Sequence, residues 1–261
     1  MEDFEKRKEM LVMENENVRL ITSKMGREIG AALVKAVPDE IPFEAGKAFI
    51  GDQDAINRRV REMFIPPEKP AIVSGGGNDF AAKLAEQENF WCRLFPTQDF
   101  GFDPGEMLVW PRQPGRDRLI VTPAGLWANR VYDKYGEKKI PAWRYRENLD
   151  AMVNLSGSPY VATARWFRDT QEADEELQDK SALDLEALMI PGITLVERLV
   201  YGLVFWEEKE LHLDTKTGTL CTGSRVPDGD VPSVSFSGSK VYVDADNPAG
   251  HDPDWRSRAA A

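Results

Sequence analysis

The chain has 261 residues, a mass of 29.4 kDa, a formal net charge of −11 and a hydrophobic fraction of 42%. That length accommodates one large or two small domains, and that apolar fraction is enough to build a core. So much negative charge repels phosphate backbones and anionic lipid, so no nucleic acid and no membrane insertion are expected.

The chain opens Met1-Glu2-Asp3-Phe4-Glu5-Lys6, with charges where a secretion signal needs an apolar run. No stretch is long and apolar enough to span a bilayer. The expected location is the cytoplasm, or outside the cell by a route without a recognisable signal.

Residues 1–36 carry Leu11, Val18, Leu20, Ile21, Met25, Ile29, Ala32, Leu33 and Val34 at near-helical spacing, and Pro38 and Pro42 end the run. A second helix is expected over 53–63, closed by Pro66-Pro67. Residues 1–70 thus read as a helical N-terminal segment, and 71–261 as the main domain. Ser74-Gly75-Gly76-Gly77-Asn78 lacks the phosphate-loop and dinucleotide fingerprints and reads as a connector into a helix starting near Asp79.

Residues 90–160 are rich in Pro, Gly and aromatics, with strand-like pieces at 107–110, Arg118–Thr122 and 127–132. Residues 160–187 read as a helix whose acidic face (Glu172, Asp174, Glu175, Glu176, Asp179) is solvated. Thr194-Leu195-Val196-Glu197 is a capping box. It opens a helix with the stripe Leu195, Leu199, Leu203 and Trp206, ending at Glu207-Glu208-Lys209-Glu210.

Near Leu220 the composition turns small and polar. Ser233 to Phe236 and Lys240 to Asp246 alternate, and Ser237-Gly238-Ser239 between them makes a hairpin turn. Val234, Phe236, Val241 and Val243 then face inward, while Ser233, Ser235, Tyr242, Asp244 and Asp246 face solvent. A loop from Asn247-Pro248 to Pro253 follows, then a last strand at Trp255-Arg256-Ser257-Arg258. Across 226–254 only Lys240 belongs to the set Lys, Glu, Gln, Met, Trp, the residues a codon ending in C cannot encode. Two readings stand side by side: codons randomised at adenines, and the ordinary composition of turn-rich loops.

Cys92 and Cys221 read as reduced and buried. With His212 and His251 they lack zinc-site spacing, so no metal and no cofactor are expected. Asp244, Asp246, Asp252 and Asp254 read as loop-solvating carboxylates and not as cation ligands. No G-x-S-x-G or H-E-x-x-H is present, and no catalytic residue is expected.

One frame runs through the C-terminal part: Leu211-His212-Leu213-Asp214, Leu220-Cys221-Thr222-Gly223-Ser224-Arg225, Gly229, Val231-Pro232, Gly238, Lys240-Val241, Asn247-Pro248 and Trp255-Arg256-Ser257-Arg258-Ala259-Ala260. With the helix at 193–208, it resembles the variable proteins of diversity-generating retroelements, in the form seen in candidate-phylum bacteria. The likeness covers about the last 75 residues.

The resemblance implies an α+β, C-type lectin-like fold of the formylglycine-generating-enzyme variety, with short antiparallel strands and long loops. It implies a variable region at about 220–258, rewritten from a template repeat, and a non-enzymatic receptor for an unknown protein or cell-surface ligand. The ligand-contacting residues would be Val226, Pro227, Asp228, Asp230, Ser233, Ser235, Tyr242, Asp244, Asp246, Ala249, His251, Asp252 and Asp254. Two alternatives are a phage-like or appendage assembly protein, and an oxidase resembling formylglycine-generating enzyme, which would need Cys92 brought to Cys221.

Overall fold

A computed structural model describes residues 77–154 and 161–260. The helices expected within 1–70 and the turn at 74–76 lie outside the described residues.

The run from Asp79 belongs to helix α1 (Gly77–Leu94). It docks through Trp91, wholly buried, whose indole Nε1 donates to the Val121 carbonyl at 3.0 Å. Val121 lies on β2 (Arg118–Thr122), which pairs antiparallel with β5 (Thr163–Phe167); β5 also pairs in parallel with the short β1 (Leu108–Val109).

β5 replaces the first part of the helix expected over 160–187. All five of its residues are buried, polar Thr163 and Arg165 included, so neither face is a solvent face. The acidic side chains after it are not one solvated face either. Asp174 is buried, and Glu172 accepts hydrogen bonds from the backbone N–H groups of Thr215, Lys216 and Thr217. Only a 3-10 turn (Glu175–Leu177) and the six-residue helix α3 (Ala182–Ala187) are helical there.

The piece at 127–132, expected as a strand, belongs to helix α2 (Ala128–Glu137). Its Trp, Val and Tyr favour strands, but Ala128, Val131 and Tyr135 recur at helical spacing and bury one face, which decides the matter.

The helix opened by Thr194 is α4 (Leu195–Lys209), and both bonds of the capping box form. Every residue from Leu195 to Phe205 is buried, not only the stripe. The helix contacts α2, β2 and β8 (Val231–Ser237), and so lies between the two larger sheets. Gly202 admits the Tyr135 hydroxyl, which donates to the Leu199 carbonyl at 2.8 Å; a Cβ at Gly202 would stand 2.4 Å from that oxygen.

The C-terminal part forms a five-stranded sheet in the order β10-β6-β8-β9-β3. Its members are β3 (Ala142–Arg144), β6 (Gly218–Leu220), β8, β9 (Lys240–Asp246) and β10 (Trp255–Ser257). A two-stranded pair joins β4 (Val153–Asn154) to β7 (Ser224–Arg225). The β8–β9 hairpin turns on two residues, Gly238 and Ser239, with φ of 55° and 64°. Both central residues of such a turn must have positive φ, which matches the right-handed twist of the strands.

The fold is α+β. The strands are not all antiparallel: β1–β5, β3–β9 and β6–β10 pair in parallel, each joining segments separated by long stretches of chain.

Candidate functional site

Part of the frame, centred on Asp214 and Arg258, is buried behind the five-stranded sheet. Asp214 is wholly buried and accepts from Arg198 Nη2 at 2.7 Å, from Arg258 Nη2 at 2.6 Å and from the Thr219 hydroxyl. Burial alone would push its carboxyl up; the charges of Arg198 and Arg258 and the bonds from Thr219 and Arg258 more than offset that and hold it below the ordinary value. Arg258 also donates to the carbonyls of Thr170 and Gln171. The Ser257 hydroxyl donates to the Leu220 carbonyl at 2.9 Å and lies 3.2 Å from that of Thr222. These groups hold β10 against β6 and the start of α4.

The opposite face of the sheet is the candidate site. Register aligns Trp255, Gly218, Ser235, Tyr242 and Trp143 in one row across the five strands. The next row runs Ser257, Leu220, Ser233, Asp244. Tyr145 continues β3 alongside Asp244, because its N–H bonds the Val243 carbonyl at 3.0 Å.

One half of this face is covered. Ala182 of α3 packs with Leu220 and Val231, and Trp255 lies against them with its ring over Gly218. The other half is open. Trp143 is 42% exposed and stands 5.8 Å from Tyr242, centroid to centroid, and the Lys240 ammonium lies 5.9 Å from the Tyr242 ring centre.

A Cβ at Gly218 would stand 2.0 Å from Trp255 Cζ3. Gly218→Ala is therefore expected to cost about 1–3 kcal/mol by overpacking. Urea unfolding checks this, and the loss should shrink in a Trp255→Ala background; an equal loss there would mean the ring is not the obstacle.

Burial corrects two of the residues expected to meet solvent. Ser233 is 0% exposed, because it sits between Leu220 and Asp244 on the covered side of the sheet. Val226 is 2% exposed: its backbone closes the tight turn to Asp230, and its side chain is the anchor on which Pro227, Asp228 and Gly229 project. Pro227, Asp228, Asp244, Ala249, His251 and Asp254 are exposed, and Asp230, Ser235, Tyr242, Asp246 and Asp252 are partly so. His251 is tied down, its Nδ1 lying 3.0 Å from the Asp179 carbonyl. Of the residues expected inside, Val234, Val241 and Val243 are buried, and Phe236 is half-buried with its ring stacked on His212.

Trp143, Tyr145 and Arg146 escaped the sequence reading. They arrive on β3, far upstream of the C-terminal segment, through a parallel pairing that no local pattern announces. The usable signal was Trp143-Arg144-Tyr145-Arg146, which alternates aromatic and basic residues at strand period.

Carboxylates ring the open half. Arg146 pairs with Asp228 and its guanidinium lies 5.1 Å from the Tyr145 ring centre. Burial raises the Asp246 carboxyl above its ordinary value. The nearby Ser233 hydroxyl opposes that shift, and the charges of Asp244, Asp252 and Asp230 add to it. Burial likewise raises the Tyr145 hydroxyl, opposed by Arg146 and reinforced by Asp228, Asp230 and Asp244.

Among the described residues, no three His, Cys, Asp or Glu side chains are grouped to hold a metal ion, and no helix is long and apolar enough to cross a membrane. The cysteines differ from expectation in one respect. Both are free and Cys221 is wholly buried, its thiol pushed up by that burial, but Cys92 is exposed on the outer side of α1. No protein-family model matches the chain, and neither the curated proteins nor the solved structures contain a match to it.

Proposed function

We propose that the chain is a non-enzymatic ligand-binding protein of the retroelement-diversified kind, built on a C-type lectin-like scaffold. Its recognition surface is the open half of the outer sheet face with the loops at 227–230 and 247–254. The observation that carries this reading is the separation of two residue classes. Asp214, Thr222, Ser257 and Arg258 of the frame are buried and bonded in two pairs, Asp214 with Arg258 and Thr222 with Ser257, whereas Pro227, Asp228, Tyr242, Asp244 and Ala249, interposed between frame elements, reach solvent. A surface that tolerates random substitution needs this division: a scaffold that holds without its changeable side chains. Tyr242 adds a rigid amphipathic contact with little entropy to lose on binding.

Sequencing the gene's 3′ end across the source population tests the reading. Codons for 226–254 should vary between cells while those for Asp214 and 255–258 stay constant, with a near-copy close by that differs at adenines. An invariant segment without a near-copy would sink it. On the protein side, alanine at Pro227, Asp228, Tyr242 or Asp244 is expected to change stability by no more than about 0.5 kcal/mol each, as read by thermal unfolding. Val226→Ala, by contrast, should cost stability, because it removes a buried side chain.

A further inference from the structure

A strand at the margin of a sheet carries backbone groups that point away from its one neighbour. Two margins of this fold are capped. On β10, the Trp255 and Ser257 carbonyls accept from the N–H groups of Asp179 and Asp174 at 3.2 and 3.0 Å. On β2, the Val121 N–H donates to the Gln87 side chain, and its carbonyl takes the Trp91 indole. β3 forms the other margin of the five-stranded sheet, and among the described residues it pairs only with β9. Two bonds fix which way its groups point: Val241 N–H to the Pro141 carbonyl, and Tyr145 N–H to the Val243 carbonyl. Trp143 therefore turns its N–H and C=O to β9, and Ala142 and Arg144 turn theirs outward. Among the described residues nothing bonds those outward groups.

We propose that a second copy of this chain docks on β3, edge to edge and antiparallel, about a two-fold axis at Trp143. A flat edge needs a strand whose own outer groups are free, and β3 is such a strand. In this register Ala142 lies opposite Arg144 of the copy, and Arg144 opposite its Ala142. Each of these pairs exchanges both N–H···O bonds, so every outward group of the two strands is used. An axis at Arg144 would set two guanidinium groups directly opposite each other, which is unfavourable. An axis at Ala142 would set Arg144 opposite Ile140, whose N–H is already bonded to the Tyr135 carbonyl. The axis at Trp143 brings two exposed indoles together in the close kind of cross-strand pair. The Trp143–Tyr242 pair is an open shelf on one protomer, and the two shelves then join into one aromatic band. The charges agree with the same axis. Counted outward from it, Glu147 comes opposite Lys139 of the copy, and Lys139 opposite its Glu147. Both side chains are exposed, and neither has an ion-pair partner among the described residues. The pairing uses the edge of the sheet and not its face, so it stands apart from the recognition reading.

Sedimentation velocity of the full chain between about 5 and about 500 µM tests this, a range that spans weak and moderate association. A reversible monomer–dimer equilibrium is expected. Ala142→Pro removes an outward N–H that β9 does not use, and proline is tolerated at such edge positions. That variant is expected to stay monomeric with an unchanged melting temperature. Glu147→Lys sets like charges against each other on both sides of the axis and should weaken the dimer about tenfold. Adding Lys139→Glu to it swaps both signs and should restore the affinity. A monomer throughout the range overturns the proposal, and so does a dimer that Ala142→Pro leaves intact, which would place the contact elsewhere. A double variant no tighter than Glu147→Lys alone would overturn the register. If Ala142→Pro lowers the melting temperature, the charge swap decides the matter by itself, because both of its positions are exposed. Sequence variation at 226–254 is read independently, so either idea can fail alone.

Discussion

Asp214→Ala is expected to cost about 3–5 kcal/mol, a large part of the stability of an ordinary domain. The substitution leaves the guanidinium groups of Arg198 and Arg258 facing each other in the interior with the carboxylate between them gone. It also removes the acceptor of the Thr219 hydroxyl. Chemical denaturation at neutral pH measures the loss, and a change under about 1 kcal/mol would mean that the two arginines find other partners.

A pH dependence accompanies it. The folded carboxyl lies below its ordinary value of 3.8, so its contribution is fully present above that value and is lost as the pH falls through the folded value. In Asp214→Asn, the part of the acid unfolding that belongs to this group should disappear from the region below about pH 4.

Glu197→Ala should be of similar size, about 3–5 kcal/mol. The Glu197 carboxylate meets Arg165 Nη1 at 3.0 Å with both side chains buried, and it accepts from the Thr194 N–H at 2.8 Å and the Thr194 hydroxyl at 2.9 Å. One side chain therefore closes the capping box of α4 and neutralises an arginine projecting from β5. Glu197→Gln keeps an acceptor for Thr194 and is expected to lose less than alanine. Denaturant unfolding separates the two variants, and amide exchange should quicken first at the N-terminal turn of α4. Equal losses would place the whole effect in the charge and none in the cap.

Elements with strong local chemistry were legible in the sequence. The Thr194–Glu197 box, the β8–β9 hairpin with its Gly238-Ser239 turn, and strand β2 all stand where spacing placed them. The failures share a cause. β5 carries Thr163, Ala164, Arg165, Trp166 and Phe167, and both of its faces are covered, so its polar positions mark no solvent face. Arg165 reads as a surface residue until Glu197, on another element, is brought to it. α2 was hidden by strand-favouring residues whose burial is decided by α4.

The same limit shaped the candidate site. Alternation found Ser235, Tyr242 and Asp244 on the outer face, but it could not see α3 and Trp255 arriving to cover Ser233. It also could not see β3 bringing Trp143 and Tyr145 alongside.

The pairing of β3 with β9 bears on the order in which the molecule assembles. The β8–β9 ladder is closed by a two-residue turn, so its ends meet at almost no entropic cost and it can form in microseconds. β3 reaches β9 only after a loop containing β5, α4 and most of the core has been closed, a non-local search that runs over milliseconds to seconds in sheets of this kind. The Trp143–Tyr242 pair is thus a clock hand built into the surface. It comes together only once that loop has shut, so the open shelf forms later than the hairpin that supplies Tyr242.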